Sequence, residues 1–370
     1  MEALHNQIKH YRQLAGLSQT QLAERVGITR QAVSLIEAGQ SIPSALVAIR
    51  MAHSFGLWVE DLFAEQPSYG APDVWHVALD ADIRPGDRVL PALVGQRKVA
   101  HRIDILHQPQ MLQQAAEALT VVENLPESQV RVRQPAGQLV PDWTLVAGCD
   151  LGLALLAGHS DSHELSHGSR PLWLSSDNAK ALRQLQAGDV HIAAIHTALS
   201  EQSEITPLPA CPLEVRKVRF ACLELGWLVK WGNPLGFHTA ADFANKHLRL
   251  VNRPAGAGAR KLLDSLLAQA QVDPTTVNQY SFTVAGHLQV AQAIAAGMAD
   301  VGIGIASAAA AARLAFIPIQ TEICDLWIPP AHFALEGVQQ ILNTLASDVF
   351  RQDLRSFGPY DVHNTGQLVN

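Results

Sequence analysis

Cysteine is scarce in this chain of 370 residues, and none of its four cysteines belongs to a C-x-x-C pair. They are Cys149, Cys211, Cys222 and Cys324. Their spacing excludes a paired-cysteine motif, and the first residues do not resemble a signal peptide. We therefore expect a reduced, cytoplasmic protein.

Charged residues are also few, at 16% of the chain against 48% hydrophobic residues, which excludes a largely disordered chain. The net charge of -7 argues against a protein that coats nucleic acid along its whole length, although one small DNA-reading module remains compatible with it. The longest apolar stretch, VGIGIASAAAAARLAFIPI, contains Arg313 and follows Asp300. We interpret it as buried strand and helix, and we predict no membrane span.

Residues 1–66 show helical periodicity with short breaks. Ser18 and Thr29 are typical helix caps, and Gly27 and Gly39 are typical helix ends. Two short helices separated by GIT form the pattern that places its second helix in the DNA major groove. The sequence therefore predicts an all-α, helix-turn-helix DNA-binding domain over residues 1–66.

The stretch LSQTQLAERVGITRQAVSLIEAG resembles the Cro/Xre-type helix-turn-helix family, which implies a double-stranded DNA operator as partner. Five Lys/Arg against three Asp/Glu in the first 50 residues is a low positive charge for one copy, so we expect a homodimer on a two-fold operator. Arg and Gln side chains on the second helix suit guanine and adenine edges. The predicted DNA-contacting residues are Arg12, Gln19, Thr29, Arg30, Gln31 and Ser34. A small helical bundle used for protein contact is the alternative.

Residues 67–140 are predicted to be a linker and a small connecting α/β region. AEQPSYGAPD is rich in Pro and Gly, as linkers are. VWHVALD and RVLPALVGQRKVAHRID alternate in part and indicate strands. PQMLQQAAEALTVVENLPES has the pattern of a helix followed by a turn, and QVRVRQPAG that of a strand. We expect this region to connect the domains or to form a dimer contact.

Residues 141–370 alternate short apolar strands with Ala/Leu-rich helices, which indicates βα units with mostly parallel strands. In such sheets ligands bind beyond the carboxyl ends of the strands, where helix N-termini expose unpaired N–H groups. Four junctions have this form, in AGCDLG, LSSDNA, VNRPAGAGAR and VAGHLQ. VNRPAGAGARKLLD lacks G-x-x-x-x-G-K-[ST], so a small anion is favoured over a nucleotide.

GNPLGFHTAADFANKHLRLVNRPAGAGARKLLD and AGHLQVAQAIAAGMADVGIGIASAAAAARLAFIPIQTEICDLWIP resemble the periplasmic-binding-protein-like family. The domains of this family that are fused to helix-turn-helix segments are usually described as molybdate-binding-like. The resemblance implies a type II α/β fold of two lobes, with the second lobe at about residues 226–320 and the ligand in a cleft. The chain would cross between lobes near ELGWLVKWGNP and return near FIPIQTEICDLW.

The predicted ligand is a small anion, either an oxyanion such as molybdate or tungstate or a small carboxylate paired by arginine. The predicted ligand-binding residues are Cys149, Asp150, Ser175, Ser176, His196, Asn252, Arg253, Gly256, Gly258, Arg260, His287 and Glu322. Several have a purely structural alternative: the serines as helix caps, Arg260 as a surface pair with Asp264, and His287 as a core or cap residue. Arg253 precedes Pro254 and is expected to be exposed at the cleft mouth.

These patterns together predict a one-component transcription regulator and ligand sensor that is not an enzyme and uses no cofactor or metal. Besides a storage or buffering protein that keeps its DNA-binding segment without using it, two alternatives remain open. One is a small-molecule enzyme that uses the same cleft, with Cys149 as a candidate nucleophile. The other is a transition-metal sensor that uses the His159, His163 and His167 cluster of HSDSHELSH.

Overall fold

A computed structural model describes residues 4–65, 72–79, 81–104, 111, 114–115, 117–134, 140–161, 169–199, 213–245 and 247–369. These residues form two compact units. The first comprises the described residues up to Asp73 together with Arg133 and Gln134, and the second those from Val74 to Val132 and from Val140 onward. Among the described residues, no helix has the length and apolar character needed to cross a membrane.

Short helices make up most of the N-terminal unit. They are α1 (Ile8–Leu14), α2 (Gln19–Val26), α3 (Arg30–Glu37), α4 (Ala45–Phe55) and α5 (Val59–Leu62). The Ser18 hydroxyl caps α2 by accepting a hydrogen bond from the backbone N–H of Gln21, and Gly27 ends α2 in the left-handed conformation. Thr29 caps α3 in the same way. The predicted helix pair is therefore confirmed, because its start and stop signals are local.

The core of this unit lies between the helices of the predicted pair and α4. Ala23 and Val26 of α2 are buried with Val33 and Ile36 of α3, and Met51 of α4 joins them. Two short strands, β1 (Leu4–Asn6) and β2 (Phe63–Glu65), pair antiparallel. The sequence pattern did not predict these strands.

A closed β-barrel begins the second unit. Its strands are β3 (Asp73–Val77), β4 (Arg88–Val94), β5 (Arg97–Arg102), β6 (Leu119–Leu125) and β7 (Gln129–Arg133), in the order β3-β5-β4-β6-β7. The expected helix is wrong over residues 119–125. Leu119 and Val121 are buried on either side of exposed Thr120, and Val89 of β4 pairs with Leu119. This period of two suits a strand, and pairing with β4 satisfies its backbone.

The rest of the second unit is built on an eight-stranded sheet in the order β12-β13-β11-β14-β10-β8-β9, with β15 beside β11. The strands are β8 (Trp143–Gly148), β9 (Arg170–Ser175), β10 (Ile192–Ala198), β11 (Arg216–Val229), β12 (Leu250–Val251), β13 (Val301–Ile305), β14 (Ala315–Ile328) and β15 (Leu368–Val369). The helices are α6 (Gly152–Asp161), α7 (Asn178–Gln186), α8 (Asp242–Asn245), α9 (Gly258–Gln269), α10 (His287–Ala295), α11 (Ala306–Ala311), α12 (Pro330–Phe333), α13 (Glu336–Ala346) and α14 (Asp348–Phe357).

Two long antiparallel strands, β11 and β14, join the two lobes. Residues 225–229 of β11 pair with β13 in the second lobe, whereas residues 322–327 of β14 pair with β10 in the first. The predicted crossing segments are therefore confirmed as paired hinge strands. Their register shifts between Leu225 and Gly226, where a Cβ atom on Gly226 would collide with the carbonyl oxygen of Ile317.

Candidate functional site

The junctions predicted to carry ligand contacts meet across the gap between the lobes. In the first lobe β8 pairs in parallel with β9 on one side and with β10 on the other. The carboxyl ends of these three strands therefore lie at the same edge of the sheet. In the second lobe the loop between β12 and α9 reaches that edge. A Cβ atom on Gly256 would lie 3.4 Å from both carboxylate oxygens of Asp177, which caps α7. The loop of the second lobe therefore lies in contact distance of the first lobe at this point.

Arg253 is the most unusual side chain at this junction. It is only 2% exposed, which contradicts the expected position at the cleft mouth, because the folded chain brings groups of the first lobe, Cys149 and Asp177 among them, near its charge. Its Nε and Nη1 atoms are buried without any hydrogen-bond partner. Burial lowers the pKa of Arg253, and Cys149 and Asp177 only partly oppose this effect. The guanidinium is a buried cation without a hydrogen-bonded counter-charge among the described residues.

His287 opens α10 next to this cation. It is buried, and its Nδ1 atom has no hydrogen-bond partner. Burial, and then the positive charges of Arg253 and His196, lower the pKa of His287 well below its ordinary value. The ring is therefore neutral at pH 7, and its Nδ1 atom can donate to or accept from a ligand, depending on the tautomer.

His196 lies between two carboxyl groups on the first-lobe side. Its Nδ1 atom is 3.1 Å from Glu322 Oε2, and its Nε2 atom is 3.8 Å from Asp150 Oδ2. Burial by itself lowers the pKa of His196, but the sulfurs of Cys149 and Cys324 oppose it, and the pKa is raised well above its ordinary value. The Nε2 atom of His196 makes no hydrogen bond with the described residues.

Asp150 connects this histidine to the C-terminal segment. Its Oδ1 atom accepts hydrogen bonds from Gly152 N at 2.7 Å and from the Tyr360 hydroxyl at 2.8 Å, while Oδ2 is buried and unpartnered. Burial raises the pKa of Asp150, although His196 and Tyr360 oppose it. The Tyr360 hydroxyl also lies 3.0 Å from that of Ser307 on α11, so this chain of contacts links the lobes.

Two helix N-termini add backbone donors to the same region. Ala257 before α9 and Gly286 before α10 provide no side-chain hydrogen bond to the first turn. The first N–H groups of a helix have no partner within the helix, and the helix dipole favours an anion beside them. Gly258 is the first residue of α9 and contributes one of these groups.

Two side chains predicted to bind the ligand, Arg260 and Asn252, instead make hydrogen bonds to other groups of the protein. Arg260 donates to Asp264 and to the Tyr280 hydroxyl, as in the surface-pair alternative. Asn252 accepts from the backbone N–H of Arg253, and its amide donates to the carbonyl of Tyr280. The polar atoms of both side chains are therefore already occupied within the protein.

The two serines of LSSDNA have separate environments. Ser175 ends β9 beside Gly148, whereas the Ser176 hydroxyl donates to Gln184 Oε1 at 2.8 Å. Neither serine caps α7, because the Asp177 carboxylate accepts from Lys180 N. The structural alternative, in which a serine caps α7, is wrong, since the carboxylate of Asp177 takes the capping position.

Part of the metal-sensor alternative falls outside the described residues, which include neither His163 nor His167. His159 Nε2 lies 2.9 Å from Asp353 Oδ2. Among the residues that the structure describes, no group of three or more His, Cys, Asp or Glu side chains is arranged to hold a metal ion.

The predicted DNA-reading residues fall into two groups. Arg30, Gln31 and Ser34 are exposed on α3 and make no side-chain hydrogen bond within the described chain, which leaves them free for base edges. Thr29 is exposed, and its hydroxyl caps α3 by accepting from Ala32 N at 3.1 Å.

Arg12 and Gln19 belong to an internal network. Arg12 donates to both carboxylate oxygens of Glu37, at 2.6 and 3.1 Å, and Gln19 donates to the same carboxylate at 2.9 Å. Burial alone raises the pKa of Glu37, but these hydrogen bonds lower it below its ordinary value overall. The network joins α1, α2 and α3, so these two side chains hold the helices together within the unit.

Sequence reasoning missed three residues of the site. Tyr360 lies 210 positions from its partner Asp150, so no local pattern connects them. Cys324 is buried opposite His196 in the pairing of β10 with β14, and burial raises its pKa to about 12. Asp177 is of a residue type that commonly caps helices, and it follows the two serines. This was the one feature of the sequence that could have pointed to a missed residue of the site.

Comparison with known proteins supports the predicted families of both the N-terminal and the C-terminal part of the chain. A family model described as a PBP superfamily domain matches residues 161–346, half of the chain, and one described as helix-turn-helix matches residues 8–60. The uncharacterized protein YvgK of Bacillus subtilis is 27% identical over 251 residues, which cover 65% of this chain and 77% of that protein. The uncharacterized HTH-type transcriptional regulator YgzD of Bacillus subtilis is 42% identical over 60 residues, which cover 16% of this chain and 91% of that protein.

Solved structures with a similar backbone include the sulfate-binding protein SubI from Mycobacterium tuberculosis. It has a TM-score of 0.42 at 12% identity and covers 58% of this chain and 85% of its own. The Synechocystis CcmR regulatory domain in complex with 2-PG has a TM-score of 0.38 at 15% identity, covering 58% and 95%. At these scores neither bears on the ligand of this chain. The chain belongs to the PBP superfamily and carries a Cro/Xre-type helix-turn-helix, so it is a transcriptional regulator fused to a ligand-binding domain.

Proposed function

We propose that this chain is a cytoplasmic, one-component regulator that binds operator DNA as a homodimer and senses a small anion held by Arg253. The cleft acts by binding and performs no catalysis. The observation that carries the proposal is the guanidinium of Arg253, whose Nε and Nη1 atoms are buried without a hydrogen-bond partner among the described residues. An ionised group without a partner costs several kcal/mol of folding stability when it is buried, so a ligand that pairs with it recovers much of that cost.

The surroundings of Arg253 favour an anion with at least two oxygen atoms. A guanidinium pairs in bidentate fashion with carboxylates and tetrahedral oxyanions. The N-termini of α9 and α10 supply further N–H donors, and neutral His287 adds one hydrogen bond without a second fixed charge. Molybdate, tungstate and small carboxylates all meet these requirements.

Ligand binding would be coupled to DNA binding through the hinge strands. A ligand changes DNA affinity only as far as it binds one conformation of the protein more tightly than another. In this structure Gly256 lies against Asp177 and Arg253 is buried, so we propose that an anion at Arg253 stabilises this closed arrangement of the lobes. We propose that this change alters the spacing of the two α3 helices in the dimer.

A thermal-shift screen followed by calorimetry tests the ligand proposal. The full chain is titrated with molybdate, tungstate, sulfate, phosphate and small carboxylates, and a hundredfold excess over Kd stabilises the folded state by about 2.7 kcal/mol. Arg253→Met should abolish binding of whichever anion the wild type binds. The matched control, Arg260→Met, removes an arginine seven residues away that already pairs with Asp264, and it should bind normally. Binding that survives Arg253→Met would refute the proposal.

The DNA arm is tested with an operator selected from random-sequence DNA by the wild-type chain. Gln31→Ala should weaken binding to that operator and leave anion binding intact, because Gln31 is exposed on α3. Two half-sites in the selected sequence support a dimer. A selected sequence with a single half-site, or unchanged affinity in polarisation measurements, would count against this arm.

A further inference from the structure

A polar cavity of about 90 Å³ lies between the β-barrel and the first lobe. Residues at the end of β5 and after β3 form its barrel wall, and residues after β9 and on α7 form the other wall. Arg253 does not line it, so it is separate from the anion site proposed above. A single water needs only about 15 Å³, whereas a cavity of about 150 Å³ can bind benzene. The cavity therefore suits a molecule of about the size of benzene or smaller.

The two walls of the cavity are held together through Asp189, which lies between α7 and β10. Its backbone carbonyl accepts a hydrogen bond from His101 Nε2 at 2.8 Å. Its Oδ2 atom accepts one from the backbone N–H of Leu79 at 2.7 Å. Both bonds join the barrel to the first lobe, so the cavity is part of a built interface.

His101 presents a hydrogen-bond acceptor to the cavity. A carbonyl oxygen only accepts, so Nε2 carries the proton of the ring. Burial lowers the pKa of His101 to about 4, and the ring is therefore neutral at pH 7 with a lone pair on Nδ1. This Nδ1 atom makes no hydrogen bond with the described residues, and it is not sealed by protein atoms as those of Arg253 are. The side chain is only 4% exposed, so Nδ1 is reached from the cavity that His101 lines.

Gln184 presents a hydrogen-bond donor in the same way. It is 5% exposed, and its Oε1 atom accepts from the Ser176 hydroxyl at 2.8 Å. Its Nε2 atom has no hydrogen-bond partner in the part of the chain that the structure describes, and it is not sealed either. The Ser176 hydroxyl uses its proton in this contact, and its oxygen can still accept.

Charges of both signs complete the lining. Lys180 is half-buried and Arg102 is exposed, and neither side chain makes an ion pair with a residue that the structure describes. Asp104 adds a carboxylate. The cavity thus combines donors on Lys180, Arg102 and Gln184 with acceptors on His101, Ser176 and Asp104.

We propose that this cavity is a second ligand site, which binds a small α-amino acid, of glycine to serine size, as its zwitterion. The carboxylate of such a ligand accepts from the two cations and from Gln184, and its ammonium group donates to His101 Nδ1 and to Asp104. A carboxylate without the ammonium group leaves these acceptors unpaired, and an amine without the carboxylate meets two cations. This site does not depend on the anion site at Arg253.

Calorimetry on the full chain carrying Arg253→Met tests the ligand class, because this variant removes the proposed anion site. The chain is titrated with alanine, with propionate, which lacks the ammonium group, and with ethylamine, which lacks the carboxylate. Alanine should bind, and each of the other two should bind at least about tenfold more weakly, since each loses charged hydrogen bonds. Propionate or ethylamine that binds as tightly as alanine would overturn the proposal, as would the absence of binding by glycine, alanine and serine.

Variants of α7 test the location of the site. Lys180→Met should weaken alanine binding at least about tenfold. The matched control, Arg183→Met, removes an exposed cation of the same helix that does not line the cavity, and it should bind alanine normally. Gln184→Glu keeps the acceptor for Ser176 but replaces the donor by a carboxylate, so it should also weaken binding at least about tenfold.

Thermal melting first confirms that each variant is folded. Equal alanine affinity in Lys180→Met and Arg183→Met would overturn the proposed site. Alanine binding that is present in wild type and lost in Arg253→Met would place the amino acid in the cleft and refute the second site. The anion titrations of wild type decide the proposed function separately, so either proposal can fail while the other stands.

Discussion

Arg253→Met should make the ligand-free protein more stable while abolishing ligand binding. Arg253 is 2% exposed, and at least two of its side-chain nitrogens are buried without partners. Methionine has a similar unbranched stem and carries no charge, so it fills much of the same space without the desolvation penalty. The substitution therefore separates the stability of the domain from its function.

The size of the effect follows from the environment of the guanidinium. Replacing a buried ionic group by a hydrophobic side chain of similar volume is typically stabilising by about 1–4 kcal/mol, even where the original charge is paired. Arg253 has no ion pair among the described residues, so we expect about 2 kcal/mol or more. For a domain of this size each kcal/mol moves Tm by roughly 2–4 °C, so the expected rise is roughly 4–8 °C.

The assay is differential scanning calorimetry of wild type, Arg253→Met and Arg260→Met, each without added anion. Arg260→Met should lower Tm slightly, because it removes the hydrogen bonds to Asp264 and Tyr280. A fall in Tm for Arg253→Met equal to that of the control would show that Arg253 is a satisfied structural residue. The reasoning about an unpaired buried charge would then be wrong.

Three further predictions concern other parts of the chain. Arg12→Met should lower the free energy of unfolding of the N-terminal unit by about 3 kcal/mol in urea titrations, because it leaves Glu37 buried without its cation; a loss under about 1 kcal/mol would contradict this. Arg30→Ala should weaken operator binding by about 1–3 kcal/mol in polarisation assays without changing Tm, since Arg30 is exposed on α3, and unchanged affinity would exclude it from the interface. His101 and His191 have pKa values lowered by burial to about 4, below the ordinary 6.5, so the stability they contribute is present above pH 6.5 and is lost as pH falls. Each should cost about 3 kcal/mol at pH 4, and urea titrations of wild type and of variants with glutamine at both positions should differ in pH dependence by that amount; parallel pH profiles would refute the assignment.

The regularities that sequence could predict were local. The ends of α2 and α3 follow from Ser18, Gly27 and Thr29, whose backbone and capping preferences act within four residues. The hinge strands β11 and β14 also follow from long apolar stretches. By contrast, residues 119–125 were expected to be helical, because their strand form depends on pairing with β4, some thirty residues earlier in the chain.

The site shows the same division. Sequence by itself determined that small and polar residues stand where strands end and helices begin, and this placed Asp150, Arg253 and His287 in one predicted ligand site. Only the tertiary structure decided that Nε and Nη1 of Arg253 are buried without a hydrogen-bond partner among the described residues. It also decided that the Tyr360 hydroxyl donates a hydrogen bond to Asp150 Oδ1. The reason is physical: helix and turn preferences arise from contacts between near neighbours, whereas burial and hydrogen-bond satisfaction depend on groups that folding brings together from distant parts of the chain.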